Sequence, residues 1–245
     1  MSFWRSYLIA MGFMTRLGPA RTASPAELAG TMQAFPAVGA TLGLLWIAPF
    51  TLGLGRGHSF VQAWLLACWA FWLTRGLHDD GLADVSDAWG SGARGERFWA
   101  ILKDSRIGAF GVVGLVLAYS GRIVLAEPLF AAGAWGSLVF APVLGRLTAL
   151  ALAWLGRDLS RPGLGQLFLA GASGPVLAAG LAQTCLLGLL IAPGRVLVLA
   201  LVLALVVVLG FKRLAGAQGG LNGDFLGAAT TLGELAALLA AAVLL

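Results

Sequence analysis

The sequence predicts an all-α, polytopic integral membrane protein. About seven transmembrane helices are expected, with an N-terminal helix on the membrane surface and a cytoplasmic amphipathic segment. Three observations predict this class. Mean hydropathy is +0.90, and 59% of the 245 residues are hydrophobic against 11% charged. The apolar stretches are continuous and do not alternate, which argues against a transmembrane barrel. Seven of them approach the roughly twenty residues that cross a hydrocarbon core. So many spans leave little chain over, and residues 1–245 read as a single domain.

The elements follow in order. Residues 3–20 hold a short apolar stretch bracketed by Arg5 and Arg16, without a clean cleavage site. This reads as a surface helix and not as a signal peptide. The expected spans are 31–54, 59–77, 108–126, 129–155, 172–193, 196–211 and 223–245. The sixth is short, and Pro142–Gly145 offers a break in the fourth. Residues 78–107 form a long polar connection, whereas Gly55–His58 and Pro193–Arg195 are tight turns. Small-residue pairs such as Gly39 with Gly43 predict close helix packing. Cys68 and Cys185 both lie in apolar runs, which suits neither a disulfide framework nor a metal site.

Charge tests the layout. With a cytoplasmic N-terminus and one crossing per span, Arg5, Arg16, Arg21, Arg75, Arg94, Arg97, Lys103, Arg106, Arg157, Arg161, Lys212 and Arg213 fall inside. Arg56 and Arg195 fall outside, and Arg122 and Arg146 lie within spans. Twelve against two is a strong positive-inside bias. The net charge of +5 therefore reports membrane orientation and not a nucleic-acid partner. The same layout gathers residues 78–107, the loop around Arg157 and Asp224 on one cytoplasmic face.

Four of the eleven acidic residues stand within nine positions, in GLHDDGLADVSDAWG. Ionised carboxylates beside hydrocarbon are costly, so this run predicts a cation site. Asp80, Asp84 and Asp87 stand at i, i+4 and i+7, on one face of a helix. Their mutual repulsion is relieved by a divalent ion, and an all-oxygen donor set favours Mg²⁺ shared with substrate phosphates. The alternative is a solvated acidic helix end. His78 is a candidate ligand or base, or a hydrogen-bond partner of the acids. Downstream, GERFWAILKDSRIGAFG begins as an amphipathic helix with Phe98, Ile101 and Leu102 on one side. It ends in Lys103, Asp104, Ser105 and Arg106, and basic groups opposite an acidic metal cluster suit a phosphoanhydride. Lys103 could equally snorkel to headgroups.

GGLNGD (219–224) opens the last span. Gly219, Gly220 and Gly223, with Asn222 among them, permit close backbone approach to an anion at a helix start. Asp224 could serve there as an N-cap. Glu234, mid-span and nearly on the same face, predicts a polar interior, with Arg146 as its partner or as a substrate contact.

Together these motifs resemble the bacterial cobalamin synthases, the adenosylcobinamide-GDP ribazoletransferase family. His78, Asp80-Gly-Leu-Ala-Asp84 and Asp87 resemble that family's HxDGLADxxDG run. Asp104-Ser-Arg106 with Gly108 and Gly111 resembles DSRxGxxG, and Arg146 with Thr148 and Ala149 its arginine-bearing span. Gly219-Gly220, Gly223-Asp224 and Gly233-Glu234-Leu235 resemble its ending, and Phe13–Leu17 and Phe35-Pro36 its opening. The likeness runs the whole chain. It departs at Arg75 and Ala88, where glycine is usual, at Asn222, where threonine is usual, and at Thr231, where some members carry an acid.

The resemblance implies the last step of adenosylcobalamin assembly in the bacterial inner membrane. Adenosylcobinamide-GDP is joined to α-ribazole, or its 5′-phosphate, with release of GMP and a requirement for Mg²⁺. It implies that Asp80, Asp84 and Asp87, with Asp224, hold the metal at the catalytic site. Lys103, Arg106 and Arg146 would meet phosphate, and His78 and Asp79 are the candidate bases. Two rivals are a CDP-alcohol phosphotransferase, whose Arg-bearing continuation is missing after Asp80-Gly81, and a cation transporter, which would place carboxylates deep in several spans. A reporter fused after Leu245 is expected outside the cytoplasm; a cytoplasmic signal would contradict seven crossings.

Overall fold

The computed structural model describes residues 1–18 and 23–245. Among these residues twelve α-helices run as α1 (Phe3–Met14), α2 (Pro25–Gly30), α3 (Phe35–Thr51), α4 (Ser59–Thr74), α5 (Leu77–Gly90), α6 (Glu96–Leu102), α7 (Ala109–Ala131), α8 (Trp135–Leu155), α9 (Leu164–Gly171), α10 (Gly174–Ile191), α11 (Gly194–Ala217) and α12 (Gly223–Val243). A 3₁₀ turn joins α2 to α3, so Pro25–Thr51 runs on as one stretch. Among the described residues the only β-type pairing is an isolated bridge between Ser160 and Leu221.

Six helical stretches are long and apolar enough to cross a membrane: Pro25–Thr51, α7, α8, α10, α11 and α12. The predicted span 59–77 is the shorter apolar helix α4, of 16 residues. Burial separates centre from periphery. Within the most apolar window, 83% of α8 and 72% of α12 is buried, against 17–28% for α7, α10 and α11. The centre is therefore the α8–α12 pair, and the outer helices turn apolar faces to lipid, as the bilayer permits. Gly39 and Gly43 of α3 lie against the backbone of Pro142 and Val139 in α8, the close packing their spacing predicted.

The structure corrects several sequence expectations. Helix α8 continues through Pro142, because neighbouring helices hold the buried segment where one backbone bond is lost. The sixth span is not short: α11 is 24 residues with the highest window hydropathy, 2.7, and continues through Lys212 and Arg213. Their long stems extend the apolar helix while the charges reach its end. The connection 78–107 is not simply polar loop. It contains α5 and α6, which bury Leu82, Val85, Ala88, Phe98, Trp99 and Leu102. The N-terminal helix ends at Met14, where Thr15 turns its hydroxyl onto the Met11 carbonyl. Residues 19 and 20 of the predicted 3–20 helix, and Arg21, lie outside the described residues. Helix α9 has no counterpart among the predicted elements.

Four helices are joined by buried charge. Arg122 of α7 donates to Glu234 Oε2 of α12 at 2.7 Å, and Arg146 of α8 donates to Glu234 Oε1. Asp79 of α5 lies 4.0 Å from Arg122 and accepts from Tyr119 at 2.8 Å and from Thr231 at 3.3 Å. Trp46 and Tyr119 each place a ring 5.6 Å from the Arg122 guanidinium. Two cations thus face two anions, and the group is neutral as a whole. Breaking such a pair by removing one partner leaves an uncompensated buried charge, at a cost of about 3–5 kcal/mol. Glu234→Ala is accordingly expected to lower stability by about that much, measured by denaturation in detergent.

Candidate active site

Helix α5 carries the acidic run, and its start is set by backbone geometry. Helix α4 ends in a left-handed turn at Arg75 (φ 59°) and Gly76 (φ 67°), the former the only non-glycine residue with positive φ among those described. Position 75 is where the family pattern has glycine, and the backbone explains why: glycine adopts this conformation without the Cβ penalty. Arg75 offsets that cost with a hydrogen bond to the Phe13 carbonyl at 3.1 Å.

About one turn later α5 crosses the start of α12. A Cβ on Gly81 would stand 2.7 Å from the Asp224 carbonyl oxygen, and Gly227 faces the His78 backbone and Gly81. This close approach brings the Asp224 backbone against α5 and its charge within reach of Asp84, although Asp224 does not line the large cavity described next. Asp224 is not the helix cap. Asn222 holds that position with extended backbone and accepts from Phe225 N–H, because α12 begins one residue before Asp224. Asn222 also donates to Asp224 Oδ2 at 2.7 Å.

Asp80 and Asp84 line an open cavity of about 770 Å³ together with Asp79, Arg75, Lys103, Asp104 and Arg106. Phe71, Ile107, Leu115 and Tyr119 form its apolar side. Acidic and basic walls thus face one space, as the sequence predicted from GLHDDGLAD and KDSR. Half-burial raises the Asp84 carboxyl to about 7, and the fields of Asp224, Asp80 and Asp87 add to it. Arg106 donates to both oxygens of Asp104, at 3.0 and 2.8 Å, and this holds Asp104 down at about 2.

Other predicted residues lie elsewhere. Asp87 is buried, and both its oxygens accept backbone N–H groups, from Gly108 and Gly111, each at 2.7 Å. It is thereby turned to the α7 start and does not line the cavity. His78 lines a separate interior cavity of about 10 Å³ with Trp46, Arg122 and Glu234; Asp79 alone among the acids lines both spaces. Burial, with the charges of Arg146 and Arg122, holds His78 well below the usual imidazole range. Arg146 and Glu234 are occupied with each other in the core. Gly219 makes a left-handed turn (φ 69°), Gly220 lies under Arg161 and Trp99, and Gly223 meets Gly165 at the α9 start. These glycines shape the approach to α12 and do not line the large cavity.

Sequence reasoning missed Tyr119, Trp46, Phe71 and Leu115. A tyrosine far from either end of an apolar span was the one available signal, since its hydroxyl needs a buried partner.

The donor chemistry suits a hard divalent cation. Asp80, Asp84 and Asp224 offer only carboxylate oxygens, and their mutual repulsion adds to the effect of burial in raising Asp84. Among the described residues no three acidic, His or Cys groups already stand at the spacing of a closed metal site. Mg²⁺ does not require one, since one or two carboxylates, waters and substrate phosphates complete its shell.

Comparison with known proteins agrees with this architecture. The family model of cobalamin-5-phosphate synthase matches residues 6–242. A protein of Nitratidesulfovibrio vulgaris (strain DSM 19637 / Miyazaki F), named adenosylcobinamide-GDP ribazoletransferase, is 49% identical over 96% of this chain and 94% of its own length. Proteins of the same name from Syntrophobacter fumaroxidans and Novosphingobium aromaticivorans are 37% and 35% identical, each over 98% of this chain and over 98% and 96% of their own lengths. No solved structure matches the chain. Fold and site define a membrane-embedded enzyme with an acidic and basic cavity at one end of a helical bundle. The chain belongs to the cobalamin-5-phosphate synthase family.

A pH dependence follows from Asp84. Below pH 7 it carries a proton that a cation must displace, and above pH 7 it is ionised. Divalent-ion affinity is therefore expected to weaken as pH falls from 8 to 6, approaching about tenfold per unit below 7 for one displaced proton. Calorimetric titration checks this, and Asp84→Asn should flatten the profile.

Proposed function

We propose that this enzyme completes a cobamide by joining adenosylcobinamide-GDP to α-ribazole, or to its 5′-phosphate, with GMP as leaving group. The observation that carries the reading is the lining of one cavity by both kinds of group, Asp80 and Asp84 together with Lys103 and Arg106. A pyrophosphate needs both, because its oxygens are shared between a metal and fixed cations.

The ribose hydroxyl attacks the phosphorus on the cobinamide side, the bond to GMP breaks, and the hydroxyl proton leaves. Asp80, Asp84 and Asp224 would hold Mg²⁺, which when bound supplies charge for the bridging and leaving oxygens. Lys103 and Arg106 bind phosphate oxygens and orient the donor for in-line displacement. Arg106 must exchange Asp104 for phosphate, and Asp104 then remains to hold the emptied fork between turnovers. Asp79, placed on the cavity wall with its carboxylate oriented by Tyr119, is better situated than His78 to accept a proton. Gly219, Gly220, Asn222 and Gly223 serve the donor indirectly, by fixing where Asp224 stands. The enzyme sits in the bacterial inner membrane, surrounded by lipid, with its N-terminus and this cavity cytoplasmic. The concentration of Arg and Lys in the loops at this end supports that orientation.

Purified protein in detergent, given Mg²⁺, adenosylcobinamide-GDP and α-ribazole, is expected to release GMP and form a complete cobamide, and a chelator should stop both. Asp84→Asn should lower turnover by at least about a hundredfold, the scale for losing one preorganised electrostatic group, with expression intact. Near-normal turnover in that variant would refute its role. Reaction of a CDP-alcohol with a lipid acceptor, and none with either ribazole, would overturn the substrate assignment.

A further inference from the structure

Asp87 lies 21 residues before Gly108 and 24 before Gly111, yet its carboxylate spans both backbone N–H groups at 2.7 Å. Gly108 is the N-cap position of α7 and has no side chain to cap it, and Gly111 is the third residue of the helix. The first N–H groups of a helix lack intrahelical partners, and an anion there also meets the favourable end of the helix dipole. Asp87 thus performs from α5 the task that a capping side chain performs locally.

The glycines are part of the same device. A Cβ on Gly108 would stand 2.5 Å from Asp87 Oδ1, and one on Gly111 would stand 2.9 Å from Asp87 Cγ. The carboxylate occupies the space that any other residue would fill. The DSRxGxxG spacing is thereby explained: the two glycines are a seat for Asp87.

The segment between α6 and α7 carries Lys103, Asp104 and Arg106. Buried Leu102 holds its beginning. Its internal bonds are those of Arg106 with Asp104, and Ser105 to Gly108 are exposed. The side-chain hydrogen bonds tying its far end to α5 are those to Asp87.

We propose that Asp87 is a positioning residue that fixes the α7 start, and through it the Lys103–Arg106 turn, in the cavity that Asp80 and Asp84 also line. It acts on donor binding and not on the metal. The inference rests on the assignment of Asp80, Asp84 and Asp224 to Mg²⁺ and of Lys103 and Arg106 to phosphate.

The test is a double-mutant cycle with kinetics at varied Mg²⁺. Asp87→Ala is expected to lower kcat/KM for the nucleotide donor by between about tenfold and a hundredfold, the scale of a misplaced clamp. Most of that loss should appear in KM, and the Mg²⁺ concentration for half-maximal rate should not move. Asp87→Asn, which keeps one acceptor, should recover part of the loss. Gly111→Ala should impair the wild-type enzyme, yet cost little more in the Asp87→Ala background, where the carboxylate is gone. A rise in Mg²⁺ requirement on Asp87→Ala, matching that of Asp84→Asn, would overturn the proposal, as would equal costs of Gly111→Ala in both backgrounds. Should Asp84→Asn leave the Mg²⁺ requirement unmoved, the metal assignment fails, while the Gly111 cycle still reads the role of Asp87. If Asp87→Ala does not fold, Asp87→Ser with and without Gly111→Ala gives the same comparison, because the shorter side chain leaves the seat open.

Discussion

The neutral group of Arg122, Glu234, Arg146 and Asp79 is the constraint on which the site depends. Each of its charges comes from a different helix, α7, α12, α8 and α5, and each is buried. An unpaired charge there would be severely penalised, so the four helices are restricted to arrangements in which all four meet. Asp79 pins the first turn of α5 to the core. At about 100° per residue, Asp80, Asp84 and Asp87 lie roughly 80–140° round the helix from Asp79. Asp80 and Asp84 line the large cavity, and Asp87 stands where α7 packs, its carboxylate meeting Gly108 and Gly111.

The large cavity reverses this logic. Inside the bundle opposite charges are matched; on the cavity wall like charges are crowded, and burial together with their fields raises Asp84 to about 7. Among the described residues neither Asp80 nor Asp84 is in an ion pair, while Arg106, which lines the same cavity, is occupied by Asp104. Stability and function are therefore divided between two layers of the same helix, with Asp79 at the boundary.

Much of this was legible in the chain. Continuous apolar runs gave the helices, and crowded aspartates in a charge-poor sequence gave the acidic wall. Glu234 in mid-span announced a polar interior, and Arg146 was proposed as its partner or as a substrate contact. What local spacing cannot report is rotation and partnership. Asp87 shares a helical face with Asp80 and Asp84 by the i, i+4, i+7 rule, yet α7 packs against that edge and takes its carboxylate. Arg122 was seen to lie within a span, but its link to Glu234 is separated by 112 residues. The run 78–107 was read as a polar connection with an acidic helical face and an amphipathic stretch; its buried core comes from packing of α5 against α12 and α7, and of Phe98 and Trp99 against Phe225. Arg75 and Asn222, departures from the family pattern, proved compatible with their backbones, the one through its bond to Phe13 and the other as a competent N-cap.

The central claim is that Asp84 bears directly on the catalytic cation, and an exchange of ligand type tests it most directly. Asp84→Cys replaces a hard oxygen by a thiolate, which binds Mg²⁺ poorly and Zn²⁺ well. The account predicts that this variant is inactive in Mg²⁺ and regains cobamide formation when Zn²⁺ is added, while the wild-type enzyme gains nothing from that ion. Full activity of the variant in Mg²⁺, or inactivity that Zn²⁺ leaves unchanged in a folded protein, would contradict it.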